Sequence, residues 1–255
     1  MKLISWNVGG MGACYDKGYL DEVFNLDPDI FCVQEVQKNP IKLESNVLYK
    51  PGYNSYFYPP SKISYQENGK SGVATYTKFA PISLKHGFGN KFDDEGRIQT
   101  IEFEKFNLYN VYFPTGGNSR KSDKTKDKYE FYELFTKYVN ESDKPQIICG
   151  DFNRGASKLD TYQYNSSTNG FRVEELEWFE EFLKSGYIDS FRYINKNSRE
   201  YTWWHKDDKN RKKNEGLRLD YFLVNKELKD NILNASILYD IYDNDHAPIT
   251  LELEF

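Results

Sequence analysis

Cysteine, histidine and methionine are scarce in this chain, and long apolar runs are missing. Its three Cys, at positions 14, 32 and 149 of 255 residues, are odd in number and have no zinc-type spacing. That excludes a disulfide framework or structural zinc site as the organising device. Cys32 and Cys149 lie inside apolar runs, where a free thiol usually serves as a small core residue, and this fits a reducing compartment. The expectation is an intracellular protein, cytoplasmic in a prokaryote or nuclear in a eukaryote. No apolar stretch approaches the roughly 18–20 residues of a membrane-spanning helix, so no membrane partner is expected. Residues 1–8 read as a strand, not as a secretory leader. Fixed-period repeats and low-complexity linkers are also lacking, which leaves one domain over residues 1–255, expected as a monomer.

Aromatics are plentiful: 21 Tyr and 18 Phe raise the aromatic share to 17%, enough for a substantial core. The net charge of −5 argues weakly against a nucleic-acid partner, because phosphate contacts need Lys and Arg. Local charge differs from the total. Lys121–Lys128 holds four Lys and two Asp, and Lys206–Lys213 holds four Lys, one Arg and two Asp. Each run alone reads as a solvated loop.

Strand-like runs recur at Lys2–Trp6, Ile30–Gln34, Gly72–Thr77, Ile98–Phe103, Leu108–Phe113, Gln146–Cys149, Leu219–Val224, Ala235–Tyr239 and Ile249–Phe255. The last alternates strictly, with Ile249, Leu251, Leu253 and Phe255 on one face. Helical stripes fall between them at Phe131, Leu134, Phe135 and Tyr138 and over Val173–Lys184, with a weaker helix at Lys17–Leu26. The long segments Arg154–Gly170 and Lys206–Gly216 read as loops, and loops of that length in a compact domain are commonly functional. Strands interleaved with helices predict an α/β fold with two packed mixed β-sheets flanked by helices.

Four short polar motifs stand at or just beyond apolar strand ends, where a rigid sheet presents small groups to one site. They are Asn7 in Ser5-Trp6-Asn7, Glu35 after Ile30–Gln34, Asp151-Phe152-Asn153, and Asp245-His246. Carboxylates with Asn amides make an oxygen-rich set suited to Mg²⁺, or to Mn²⁺. Glu35 ends a buried run, where an unpaired carboxylate is costly, so it is the first candidate metal ligand. Asp245 is a second, and an Arg-paired structural Glu35 is the plain alternative. Asp151 and Asn153 share a face and suit the holding and deprotonation of a water, although Gly-Asp-x-Asn also favours turns. His246 with Asp220 would form a dyad that holds an imidazolium. Tyr112 offers a phenol to a phosphate oxygen, or else belongs to the core. Of the adjacent Trp203 and Trp204, at most one lines a site.

These residues resemble the exonuclease III type of apurinic/apyrimidinic (AP) endonuclease, within the endonuclease–exonuclease–phosphatase superfamily. The match runs through Ser5-Trp6-Asn7, Gln34-Glu35, Asp94-Glu95-Gly96-Arg97 and Asn110-x-Tyr112-x-Pro114-x-Gly116. It continues through Gly150-Asp151-Phe152-Asn153, Tyr201-Thr202-Trp203-Trp204 and Gly216-x-Arg218-Leu219-Asp220-Tyr221 to Asp245-His246-x-Pro248. The resemblance implies a four-layer α/β sandwich and Mg²⁺-dependent hydrolysis of the DNA phosphodiester 5′ to an abasic site. It also implies 3′→5′ exonuclease and 3′-phosphodiesterase side activities, with abasic double-stranded DNA as partner. By the same resemblance Glu35 binds metal with Asn7 and Asp245, Asp151 oriented by Asn153 activates water, and Tyr112 and His246 contact the phosphate, with Asp220 behind His246. Trp203, Leu217 and Leu219 would wall a pocket for a base-free sugar, and Lys212 and Lys213 would meet phosphates. Gly9 stands where some relatives have Asp, and Leu217 where eukaryotic ones have Trp. Asn118 falls near the place of a DNA-inserting Arg. No N-terminal regulatory extension of the kind larger relatives carry is expected. The competing readings are a same-fold phosphodiesterase or phosphatase acting on RNA, inositol phosphate or phospholipid, and a binding protein that has lost catalysis.

Overall fold

Alternation along the strands sorts the apolar side chains onto three interfaces, and these set the architecture. The computed structural model describes residues 1–61, 71–205, 208–241 and 245–255, without the side chain of residue 208. Among them the strands are β1 (Lys2–Asn7), β2 (Ile30–Gln34), β3 (Asn54–Tyr58), β4 (Val73–Thr77), β5 (Ser83–His86), β6 (Ile98–Glu102) and β7 (Asn107–Tyr112). They continue with β8 (Gln146–Asp151), β9 (Tyr187–Asp189), β10 (Trp203–Trp204), β11 (Gly216–Leu217), β12 (Asp220–Asn225), β13 (Ile232–Ile237) and β14 (Ile249–Leu253). The helices are α1 (Met11–Asp16), α2 (Tyr19–Asn25), α3 (Ser45–Leu48), α4 (Asp123–Val139), α5 (Val173–Lys184), α6 (Ser190–Ile194) and α7 (Asp208–Lys212).

One six-stranded sheet has the order β13-β14-β1-β2-β4-β3, and the other β5-β6-β7-β8-β12-β9. Each is antiparallel except for one parallel pair, β1–β2 and β7–β8. Leu3, Ile30 and Cys32 from the first sheet meet Leu108, Ile147, Cys149 and Phe222 from the second in the layer between them. The next residues along, Ile4, Trp6, Phe31 and Val33, turn outward under Leu20, Val23 and Phe24 of α2. Tyr109, Val111 and Ile148 turn outward on the other side under Phe131 and Phe135 of α4 and Phe179 and Phe182 of α5. The result is the expected four-layer α/β sandwich. The outer aromatic layer includes Phe113 stacked on Phe152 with centroids 4.5 Å apart, a contact that adds roughly 0.5–1.5 kcal/mol beyond its area.

All nine expected strands form, within a few residues at their ends. β3, β5, β9 and the short β10–β11 pair carried too little alternation to be read; every residue of β5 is exposed. The helix expected over Lys17–Leu26 starts at Tyr19, because Gly18 takes a left-handed φ of 83° that separates α1 from α2. On α5 the fully buried stripe is Glu175, Phe179 and Phe182, with Leu176 and Leu183 only half-buried. Arg154–Gly170 is irregular apart from a 3₁₀ turn at Lys158–Asp160. Within the loop expected over Lys206–Gly216, residues 208–212 are helical, and Lys206 and Asp207 lie outside the described residues. Cys14, Cys32 and Cys149 are free and buried.

The inter-sheet layer turns polar toward one end. Gln34 donates to Asn110 Oδ1 at 2.7 Å and to Ser5 Oγ at 3.1 Å. Asn110 donates to Thr75 Oγ1 at 3.1 Å, and Thr75 donates to Gln99 at 2.9 Å. This satisfied network lets the two sheets stay packed while their inward positions become hydrophilic. Register brings the strand ends together: Asn7 pairs with Gln34, Tyr112 with Asp151, and Asp151 with Asp220. Gly150 (φ 134°) permits this pairing, since a Cβ there would lie 1.9 Å from Val111 O.

Candidate active site

Asn7, Asp151 and Asp220 share the inward parity of Leu3, Cys149 and Phe222 on their strands, so their side chains enter the same inter-sheet space. Asn7 Nδ2 donates to Asp151 Oδ2 at 2.9 Å and to Glu35 Oε1 at 3.1 Å. Glu35 leaves β2 with a left-handed φ of 54°, which swings its carboxylate across the strand ends. Its Oε1 also accepts from Tyr112 OH at 2.7 Å, and Oε2 accepts from Gln37 Nε2 at 2.7 Å. Burial, then the charges of Glu35 and Asp151, push the Tyr112 phenol well above its ordinary range. It is therefore a neutral donor at any working pH. Arg97 stacks over the Tyr112 ring at 5.0 Å and is held by Glu95 at 2.5 Å.

Asp151 is 1% exposed. Its Oδ1 accepts from the Asn153 backbone N–H at 2.7 Å. The strand ends at Asp151 and Asn153 is left-handed (φ 51°), so strand alternation does not carry through to its side chain. That side chain instead donates to Phe113 O at 2.9 Å. Asn153 thus orients Asp151 through its main chain while its amide pins the turn to the segment after β7.

His246 Nδ1 lies 2.9 Å from Asp220 Oδ2, and Nε2 lies 3.8 Å from Asp151 Oδ2. Burial works to lower the His246 pKa, but the charges of Asp220 and Asp151 and the Asp220 hydrogen bond carry it up to about 10. Burial, then the charge of Asp220, pushes the Asp151 carboxyl up to about 7, against the pull of His246. A fixed cation beside a tunable acid is a common arrangement for acid–base work.

The three residues expected to wall a sugar pocket lie near the sheet edge. Trp203 pairs with Leu217 across β10–β11, and Leu219 is buried next to Asp220. Trp203 Nε1 donates to Asp245 Oδ2 at 3.2 Å, while Trp204 is core. Asp245 is thereby turned toward the tryptophan, and Asn7 presents its nitrogen to the carboxylates while Oδ1 accepts from Gly9 N–H at 3.0 Å. Lys212 and Lys213 are exposed. Sequence reasoning missed Gln37, which anchors Glu35, and the inter-sheet polar network under the site. The available signal was polar residues at inward strand positions, Ser5, Gln34, Thr75 and Gln99.

Ligand atoms of Asp151, Asp220 and His246 lie within 4.8 Å of one another, and Glu35 is tied to Asp151 through Asn7. His246 held as an imidazolium is no ligand, so the carboxylates of Asp151 and Glu35 are the oxygen donors that suit a divalent cation: burial and the charge of Asp220 hold the Asp151 carboxyl far above its usual range, and a cation relieves both.

The model of the Endonuclease/Exonuclease/phosphatase family matches residues 4–231. The chain belongs to that family. An exodeoxyribonuclease of Bacillus subtilis is 36% identical over 98% of this chain and 98% of its own length. A DNA-(apurinic or apyrimidinic site) endonuclease of Dictyostelium discoideum is 34% identical over 98% of this chain and 69% of its own. Recombination repair protein 1 of Drosophila melanogaster is 36% identical over 98% of this chain, which spans only 37% of that protein. The solved structure of an AP endonuclease from Archaeoglobus fulgidus superposes with a TM-score of 0.89 over the whole of both chains at 20% identity, which speaks to the fold. Within the Endonuclease/Exonuclease/phosphatase family the chain is thus a phosphodiester hydrolase of the AP-endonuclease and exodeoxyribonuclease type. Among the described residues no helix is long and apolar enough to cross a membrane.

Proposed function

We propose that this chain is a Mg²⁺-dependent nuclease, with Mn²⁺ as an alternative metal, that cuts duplex DNA on the 5′ side of abasic sites. 3′→5′ exonuclease and 3′-phosphodiesterase activities accompany it. The observation that carries the reading is the convergence of Asp151, Glu35 and the Asp220-backed His246 on Asn7 within one buried polar pocket. Relatives named as AP endonuclease and exodeoxyribonuclease support the substrate class.

Asp151, with a pKa near neutrality, accepts the proton of the attacking water, whose oxygen forms the new bond to phosphorus. The bond from phosphorus to the 3′-oxygen breaks, and the leaving oxygen takes a proton from solvent, giving a 3′-hydroxyl and a 5′-phosphate on the abasic sugar. The His246 imidazolium and Tyr112 phenol donate to the non-bridging oxygens, where charge accumulates. Asp220 keeps His246 charged and oriented. Glu35 would hold the metal, joined by Asn7 through Oδ1 and by Asp245 once these groups turn from Gly9 N–H and Trp203 Nε1, and the metal would supply neutralisation of the phosphate charge. Trp203, Leu217 and Leu219 would admit a sugar without its base, and Lys212 and Lys213 would meet the DNA backbone.

The test is cleavage of a short duplex with one tetrahydrofuran abasic analogue, beside an undamaged control, in Mg²⁺ and in EDTA. A single Mg²⁺-dependent nick 5′ to the lesion is expected. A folded protein that leaves both duplexes intact overturns the reading and favours an RNA or small phosphoester substrate.

A further inference from the structure

Asp220 commits one carboxylate oxygen to His246. Its other oxygen, Oδ1, is buried, and among the described residues none donates to it. An unsatisfied buried acceptor costs on the order of 1–3 kcal/mol, and more when charged. Asp220 also lines a cavity of about 10 Å³ together with Ser190, Phe191, Thr202, Phe222 and Ile237. That is room for one water, and a buried water needs two to four polar partners.

The partners are present. Thr202, wholly buried, accepts at Oγ1 from Leu219 N–H at 2.9 Å and from Asp220 N–H at 3.1 Å. Those two bonds occupy its lone pairs, and among the described residues its own hydroxyl proton has no acceptor. Ser190 Oγ donates to Phe222 O at 2.9 Å, which leaves its lone pairs open. Thr202, Asp220 and Ser190 therefore offer one surplus donor and two surplus acceptors, while Ser236 and Thr250, also in the lining, bond each other at 2.7 Å.

We propose that this cavity binds one ordered water that accepts from Thr202 Oγ1 and donates to Asp220 Oδ1 and Ser190 Oγ. Thr202 and Ser190 are then positioning residues for the Asp220–His246 pair. The water completes the Asp220 carboxylate, so that Oδ2 stays aimed at Nδ1 and the imidazole keeps its orientation toward the phosphate. An outer partner of this kind fixes a histidine through the group behind it. The effect on turnover rests on the nuclease reading; the water site itself does not.

A crystal structure that resolves ordered solvent tests the site. Density within hydrogen-bonding distance of Asp220 Oδ1 and Thr202 Oγ1 is expected, and a dry cavity overturns the proposal whatever the enzyme cleaves. On abasic duplex, Ser190→Ala should lower kcat about ten-fold with KM unchanged. Thr202→Ser, which keeps the hydroxyl, should hold kcat within about two-fold. Thr202→Val also strips two backbone bonds, so folded Ser190→Ala is the deciding variant, and wild-type kcat there overturns the positioning role. If the wild-type chain nicks nothing, the nuclease reading falls and the solvent density alone decides the site.

Discussion

Asp151 and Glu35, from different sheets, share a single donor: the Asn7 amide stands 2.9 Å from one carboxylate and 3.1 Å from the other. Two carboxylates drawn this close repel each other unless one is protonated or a cation lies between them. The arrangement makes proton, metal and catalysis interdependent.

Asp151→Asn keeps the size of the side chain and the acceptor for Asn153 N–H, but removes the base. Single-turnover nicking should fall by about 10²–10⁴-fold while DNA affinity by fluorescence anisotropy stays near wild type. Undiminished turnover would take Asp151 out of the mechanism.

Glu35→Ala strips three hydrogen bonds, from Asn7, Tyr112 and Gln37, together with the leading metal ligand. The Mg²⁺ concentration giving half-maximal rate should rise at least about ten-fold, and EDTA should silence the wild type. An unchanged titration would move the metal elsewhere in the pocket.

The Asp151 carboxyl sits at about 7, above its usual value near 4. The folded state therefore holds that proton more tightly than the unfolded chain does. Its contribution to stability is full at acid pH and is lost as pH rises from about 4 through about 7. In EDTA at pH 8, Asp151→Asn should melt higher than wild type by more than about 3 °C, and the gap should close by pH 4. Equal melting temperatures at pH 8 would mean that the carboxylate ionises without strain.

Arg218 donates to Asp160 at 2.7 Å and to Asp189 at 2.6 Å, all three buried. Removing one member of a buried charge network leaves the rest uncompensated, at about 3–5 kcal/mol. Arg218→Met should lower the melting temperature by roughly 10 °C, and a shift under 3 °C would show that water re-solvates the two aspartates.

Neutralising Lys212 and Lys213 should flatten the salt dependence of DNA binding by about one unit of log–log slope per lost phosphate contact. An unchanged slope would return both to plain solvent exposure.

Much of this was legible beforehand because strand alternation is a local property. Ile147, Cys149 and Asp151 lie two residues apart, so the sequence implied that the carboxylate faces the same layer as the core. Glu35 was legible because an acid closing an apolar run needs a partner. The edge strands β3 and β5 were not, since β5 is exposed on both faces and β3 is partly covered on both, so neither alternates between apolar and polar residues. Asn153 was misplaced for a related reason: the chain leaves the sheet at Asp151, and a left-handed residue redirects its side chain.

By itself the sequence determined the α/β class, the strands that carry the site, and the residue types that stand at their ends, because these follow from periodicity and burial cost. Only the tertiary structure decided who touches whom. Asn7 meets Asp151 across 144 positions, and His246 meets Asp220 at a distance set by the packing of two sheets. The proton affinities of Asp151 and His246 follow from that packing, since burial and neighbouring charge act through space rather than along the chain.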